Sequence, residues 1–190
     1  MKLVILDRDG VINEDSDDYI KSPEEWVPIP GSLEAIARLN QSGYRVVVAS
    51  NQSGLARGLF DIEALNRIHD KMHRALAEAG GTLEAIFFCP HGPDEGCKCR
   101  KPEPGLLEEI AKRLRLNLSG VPAVGDTLRD LEAARAAGAR PILVRTGKGT
   151  RTLAAGEGLE GVAVYADLAA VADRLVGEDS AADSDRAGGV

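Results

Sequence analysis

The chain has 190 residues, 44% of them hydrophobic and 28% charged, which suits one soluble globular domain with a real core. Twenty-three Lys and Arg stand against 30 Asp and Glu, a net charge of −7 with no basic block, so general binding to nucleic acid or to an anionic membrane is not expected. Nothing approaches the ~18 consecutive apolar residues of a membrane span, and Met1-Lys2 leads straight into a strand-like run rather than a signal peptide; a cytoplasmic protein is predicted.

Lys2–Leu6 reads as a strand covered on both faces. Between Gly31 and Gly43, Leu33, Ile36, Ala37 and Leu39 recur at helical spacing, and a second strand follows over Arg45–Ala49. Asp61–Ala79 is a helix with Asp61 as a plausible cap, and Ala85–Phe88 a third strand. Pro104 sits where a helix starts, continued by Leu106–Leu114. Val121–Val124, Leu128–Ala137 and Pro141–Val144 then give strand, helix and strand. A weaker strand (Val162–Val164) and a helix (Leu168–Val176) close the domain. Such alternation predicts an α/β fold: a Rossmann-like, three-layer parallel sheet with helices on both faces. One domain over residues 1–176 is expected, with a loose tail over 177–190 rich in Ser, Asp, Ala and Gly. The long connection Val11–Pro30 reads as a flap over a site, not as a separate cap domain.

Ligands of open α/β sheets sit outside the carboxyl ends of the strands, so the residues just after each strand carry the information. The first strand is followed by Asp7-Arg8-Asp9-Gly10, the second by Ser50-Asn51-Gln52-Ser53-Gly54, and the fourth by Gly125-Asp126-Thr127 with Asp130. Arg100-Lys101 precede the helix after the third strand. Each alone is an ordinary polar turn, a capping acid or a solvated pair of cations. Together they bring three acids, a hydroxyl and a lysine to one sheet edge. Clustered carboxylates repel unless a cation joins them, and hard oxygen ligands select Mg²⁺, which commonly also binds substrate phosphate. An Asp nucleophile beside a second Asp for proton transfer is a means of moving a phosphoryl group.

On these residues the sequence resembles the haloacid dehalogenase superfamily of phosphatases, with Asp7-Arg8-Asp9-Gly10, Ser50, Lys101 and Gly125-Asp126 with Asp130 in the order of its four-part signature. Closer marks are Ser50–Gly58, Cys89-Pro90-His91, Cys97–Pro102 and Val144–Lys148, and they make it similar to the group of D-glycero-D-manno-heptose-1,7-bisphosphate 7-phosphatases and related histidinol-phosphate phosphatases. Ser50 stands where many members carry Thr, which keeps the hydroxyl. The resemblance implies removal of the 7-phosphate of a heptose bisphosphate destined for lipopolysaccharide, with histidinol phosphate or another small sugar phosphate as the alternative substrate. It implies Asp7 as nucleophile and Asp9 as general acid/base. Mg²⁺ would be held by Asp7, Asp126 and the Asp9 carbonyl, with Asp130 in support. Ser50 and Lys101 would grip the phosphoryl oxygens. Asp15, Asp18, Asn51, Gln52, Ser53, Arg100 and Thr127 are the further candidates for substrate contact, in a protein expected to act as a monomer. A receiver-like Mg²⁺-binding signalling module is the alternative of a different class. It would carry its phosphorylated Asp after a later strand and lack the second Asp at i+2.

Cys89, His91, Cys97 and Cys99 form C-x-H-x₅-C-x-C, an odd number of cysteines in one short stretch and a ligand set for closed, structural zinc rather than a disulfide framework. Free reduced thiols are the alternative. His69 and His73 lie at i and i+4 without a third ligand and read as a helix surface, and Gly147-Lys148-Gly149 lacks P-loop spacing and reads as a turn.

Overall fold

The computed structural model describes the backbone of residues 2–187 and the side chains through Glu178. Strand β1 (Lys2–Leu6) leads through a long segment to helix α1 (Ser32–Gln41), and β2 (Tyr44–Asn51) to α2 (Ile62–Glu78). Then come β3 (Ala85–Cys89), α3 (Gly105–Leu114), β4 (Pro122–Gly125), α4 (Leu128–Ala136), β5 (Arg140–Val144), α5 (Gly149–Ala155), β6 (Ala163–Tyr165) and α6 (Leu168–Ala187). All strands are parallel, in the order β3-β2-β1-β4-β5-β6. The chain winds outward from β1 to β3, then returns to wind outward from β4 to β6. The switch point therefore falls between β1 and β4, where such sheets take their ligands.

Alternation along the strands divides the core. Val4, Leu6, Val46 and Val48 pack under α1, α2 and α6 through Ile36, Ile68, Met72, Val171 and Leu175. Leu3, Ile5, Val47 and Ala49 face the other way, onto Leu106, Leu107 and Ile110 of α3 and Ala133 and Ala134 of α4. This is the predicted three-layer arrangement. The α2 cap is as read from sequence: the Asp61 carboxylate accepts the Ala64 N–H at 2.8 Å.

Two features differ from the sequence reading, and a third goes beyond it. Helix α6 runs on to Ala187 where a loose tail was expected from Gly177; Glu178 pairs with Arg174 one turn back at 2.9 Å and with Arg140 at 3.5 Å, which favours continuation across the glycine. Residues 188–190 of that predicted tail lie outside the described residues. Helix α5 was not anticipated, because its seven residues carry only one buried position, Gly149. The segment Val11–Pro30 reaches over the site as the flap reading has it, through Asp15, Ser16, Asp17, Tyr19 and Ile20, but it is also anchored, since Val11, Ile12, Ile20 and Trp26 are core residues.

Candidate active site

Asp7 follows β1, and its N–H donates to Val124 of β4 at 2.9 Å, so the first acid hangs over the switch point. Asp126 follows β4. Two glycines wall its carboxylate: Gly10, at φ +86°, and Gly147, at φ +57°, where a Cβ would stand 2.1 and 2.2 Å from Asp126 Oδ2. No residue with a side chain fits either place in this arrangement. The same oxygen accepts the Lys148 N–H at 2.7 Å. Lys101 lies buried between the acids, its Nζ 2.5 Å from Asp130 Oδ1, 3.1 Å from Asp7 Oδ1 and 2.8 Å from the Ala49 carbonyl. Asn51 clamps the Lys101 backbone from both sides, donating to its carbonyl and accepting from its N–H, each at 3.0 Å. The cations of Arg100-Lys101 are thus not a solvated pair, since Lys101 is 4% exposed.

Oxygens of Asp7, Asp126 and Asp130 come within 4.8 Å of one another. Burial pushes the Asp7 carboxyl up to about 7 against the pull of Lys101, with Asp130 and Asp9 adding to the rise. Burial, then Asp130 and Asp7, push Asp126 up to about 8. Asp130 is the exception: despite burial, Lys101 and Thr127 hold it below the usual carboxylate range. One lysine does not neutralise three acids, and a hard dication between Asp7 and Asp126 completes the balance. Without it Asp126 and part of the Asp7 population hold protons at neutral pH, and a bound dication must expel them. Affinity for Mg²⁺ should therefore rise as pH passes upward through about 7–8, with proton release on binding. Calorimetry in two buffers of different ionisation enthalpy reads that release; an affinity that does not change with pH contradicts this charge balance.

Asp9 occupies a different setting. Arg8, fully buried, forks onto it through Nε at 2.9 Å and Nη2 at 3.1 Å, while the amides of Asn13 and Gln52 donate at 2.9 and 3.1 Å. Although burial opposes ionisation, Arg8 and these donors hold the Asp9 carboxyl below its usual value. Two acids separated by one residue are thus pushed in opposite directions.

A cavity of about 330 Å³ opens over these groups. Asp7, Asp9, Asp15, Asn51, Gln52, Ser53, Arg100, Lys101, Asp126, Thr127 and Asp130 line it, among the residues predicted from sequence. Ser50 does not: it is buried at the end of β2, its hydroxyl accepting from Gln52 Nε2 at 2.8 Å. Asp18 is also outside the lining and exposed, while Asp15 and Asp17 turn inward to Lys148 Nζ, at 3.1 and 3.5 Å. The Thr127 hydroxyl is committed to Asp130 Oδ2 at 2.7 Å within a capping box. Lys148, Arg57, Arg129 and Tyr19 join the rim although the sequence reading gave none of them a role in the site. The predicted turn at Gly147-Lys148 is in fact part of the site, ahead of α5. His69, read as helix surface, is buried beside Arg8, while His73 is exposed.

The three cysteine sulfurs and His91 Nδ1 converge next to this cavity. Cys89 Sγ lies 3.7 Å from Cys97 Sγ, 3.1 Å from Cys99 Sγ and 3.5 Å from His91 Nδ1. Tetrahedral zinc with ~2.3 Å bonds to sulfur places its ligands about 3.7 Å apart, so the four atoms fit one ion with no ligand position left over. Arg100, the residue before Lys101, reaches back to the His91 carbonyl at 3.4 Å and so joins this loop to the cavity wall.

The HAD-hydrolase-like family model matches residues 98–171, and the polynucleotide kinase 3 phosphatase model matches residues 2–129. A D-glycero-beta-D-manno-heptose-1,7-bisphosphate 7-phosphatase of Bordetella bronchiseptica is 64% identical over 94% of this chain and 99% of its own length. The Pseudomonas aeruginosa protein of the same name is 57% identical over 92% of this chain and 97% of its own. The chain belongs to the heptose-1,7-bisphosphate 7-phosphatase family of HAD-like hydrolases. A crystal structure of the Bordetella D,D-heptose 1,7-bisphosphate phosphatase with magnesium and phosphate superposes with a TM-score of 0.92, at 64% identity over 94% of this chain and 99% of that one. The two proteins thus share the fold described above. The chain is a phosphatase, and the receiver-like alternative falls with that finding. Among the described residues, no helix is long and apolar enough to cross a membrane.

Proposed function

We propose that this phosphatase removes the 7-phosphate of D-glycero-beta-D-manno-heptose 1,7-bisphosphate with Mg²⁺, through an aspartyl phosphate on Asp7. The observation that carries the chemistry is the pairing of Asp7 with Asp126 across the switch point, with Lys101 3.1 Å from the Asp7 oxygen. Asp7 attacks phosphorus in line with the leaving sugar oxygen. Lys101, held by Asn51 and Asp130, meets the charge that develops on the phosphoryl oxygens. Asp9 is ionised in the free site; an incoming phosphate dianion raises its proton affinity, so it protonates the sugar oxygen and later takes a proton from the water that clears Asp7. Mg²⁺, which Asp7, Asp126 and the Asp9 carbonyl would hold, supplies Lewis-acid charge beside the phosphate. The Bordetella structure with magnesium and phosphate supports that cofactor.

Substrate choice rests on the names of the relatives and on the rim. Arg57, Arg100 and Arg129 surround the outer cavity, three guanidinium groups that suit a second phosphate and disfavour the cationic end of histidinol phosphate. Zinc on Cys89, His91, Cys97 and Cys99 is the proposed structural ion, with no open position for water. The test is kcat/KM across the beta and alpha anomers of the bisphosphate, the 1- and 7-monophosphates and histidinol phosphate. The beta bisphosphate should lead by ~100-fold or more over histidinol phosphate, as loss of a charge-assisted phosphate contact dictates. Equal or higher values for histidinol phosphate would reverse the assignment.

A further inference from the structure

His69 sits on α2 outside the cavity, and nothing in the mechanism above uses it. Its Nε2 lies 3.2 Å from Nη1 of Arg8. A guanidinium has five N–H donors and no acceptor, so an imidazole nitrogen meeting it must accept. His69 is therefore neutral, with its proton on Nδ1. Burial and then the Arg8 charge push its pKa down to about 4, in keeping with that state. Arg8 is fully buried and spends Nε and Nη2 on Asp9, with Gln52 Oε1 3.4 Å from Nη2. His69 supplies an acceptor on the remaining side of the same planar group, so it fixes the rotation of the guanidinium about its stem. The Phe88 ring, 6.3 Å from the imidazole at 59°, flanks the histidine in turn.

We infer that His69 is a positioning residue for the acid–base step: as a neutral acceptor to Arg8 it sets the plane of the fork that aims the Asp9 carboxyl at the leaving oxygen. The inference rests on Asp9 being the acid–base group. Its test compares esters whose leaving groups differ in their need for a proton. Departure of a sugar alkoxide requires protonation; departure of p-nitrophenolate does not. In single-turnover reactions, His69→Leu should slow cleavage of the heptose bisphosphate about tenfold or more, while p-nitrophenolate release and both KM values stay within about twofold. His69→Gln, whose Oε1 can accept from Arg8, should restore most of the lost rate. Asp9→Asn is the reference and should show the same selectivity more strongly. If Asp9→Asn slows both esters alike, the acid–base reading itself fails. If Asp9→Asn is selective but His69→Leu slows both esters alike, or neither, the inference about His69 fails alone. Should His69→Leu not fold, nitrogen NMR of the wild-type enzyme decides: an unprotonated Nε2 on a neutral ring at neutral pH supports the role, and an Nε2–H or an imidazolium overturns it.

Discussion

Asp7→Asn should abolish turnover, with a loss of at least ~10⁴-fold, because an amide is a poor nucleophile and no neighbouring group replaces it. The same change should not destabilise the protein. Asp7 sits among Asp126, Asp130 and Asp9, and burial raises its pKa to about 7. A carboxyl that is harder to ionise folded than unfolded costs stability once pH rises above its unfolded value, and the cost is complete above its folded value. At pH 8 and without Mg²⁺, the neutral amide should therefore melt at or above the wild-type temperature. Asn keeps an oxygen for Lys101 Nζ, now 3.1 Å from Asp7 Oδ1. Mg²⁺ should stabilise the wild type and hardly affect the variant. Thermal melts with and without Mg²⁺, beside a phosphate-release assay, measure all three effects; residual turnover near wild type would remove Asp7 from the reaction.

The second large effect concerns the cysteine loop. Cys99→Ser should shed zinc, since Cys99 Sγ lies 3.1 Å from Cys89 Sγ and 3.3 Å from His91 Nδ1 and is two residues from Lys101. The intervening Gly92–Gly96 is too polar to hold itself by apolar contacts. Loss of a structural metal costs several kcal/mol, and at ~2–4 °C per kcal/mol the melting temperature should fall by roughly 10 °C. Activity should fall as well, because Arg100 and Lys101 leave the loop directly after its last ligand, and added Mg²⁺ should not restore it. Elemental analysis should find about one zinc per wild-type chain. A zinc-free preparation with full activity and unchanged melting would make the loop a bystander.

The parts of this site that the sequence announces are those tied to strand ends. Asp7 and Asp126 follow apolar runs whose strand character is plain, and the switch-point rule then places both at one edge. Lys101 was found through its spacing and family likeness; its burial was not, because a lysine's surroundings come from β2 and α4, distant in the chain. Arg8 and His69 show the limit more clearly. His69 falls on the buried α2 stripe with Leu65, Ile68, Met72 and Leu76, a signal the helical spacing carries, but pairing it with His73 hid that signal. Four residues along a helix are ~40° apart, enough to take one imidazole into the core and leave the next in water. Lys148 lies in a family mark but reads locally as a turn, since a turn residue acquires a role only when Gly147 packs against Asp126. Helix α6 continues past Gly177 beside a tertiary ion pair from Glu178 to Arg140, which composition does not reveal.

In the proposed reaction the phosphoryl group passes covalently from the 7-position to Asp7. Rapid acid quench of the enzyme with heptose bisphosphate radiolabelled at the 7-phosphate, followed by peptide mapping, tests it most directly. Transient, acid-stable and base-labile label should appear on the peptide bearing Asp7, formed no more slowly than turnover and absent when the label is at the 1-phosphate. Full turnover with no protein-bound label, or with label on another residue, would contradict it.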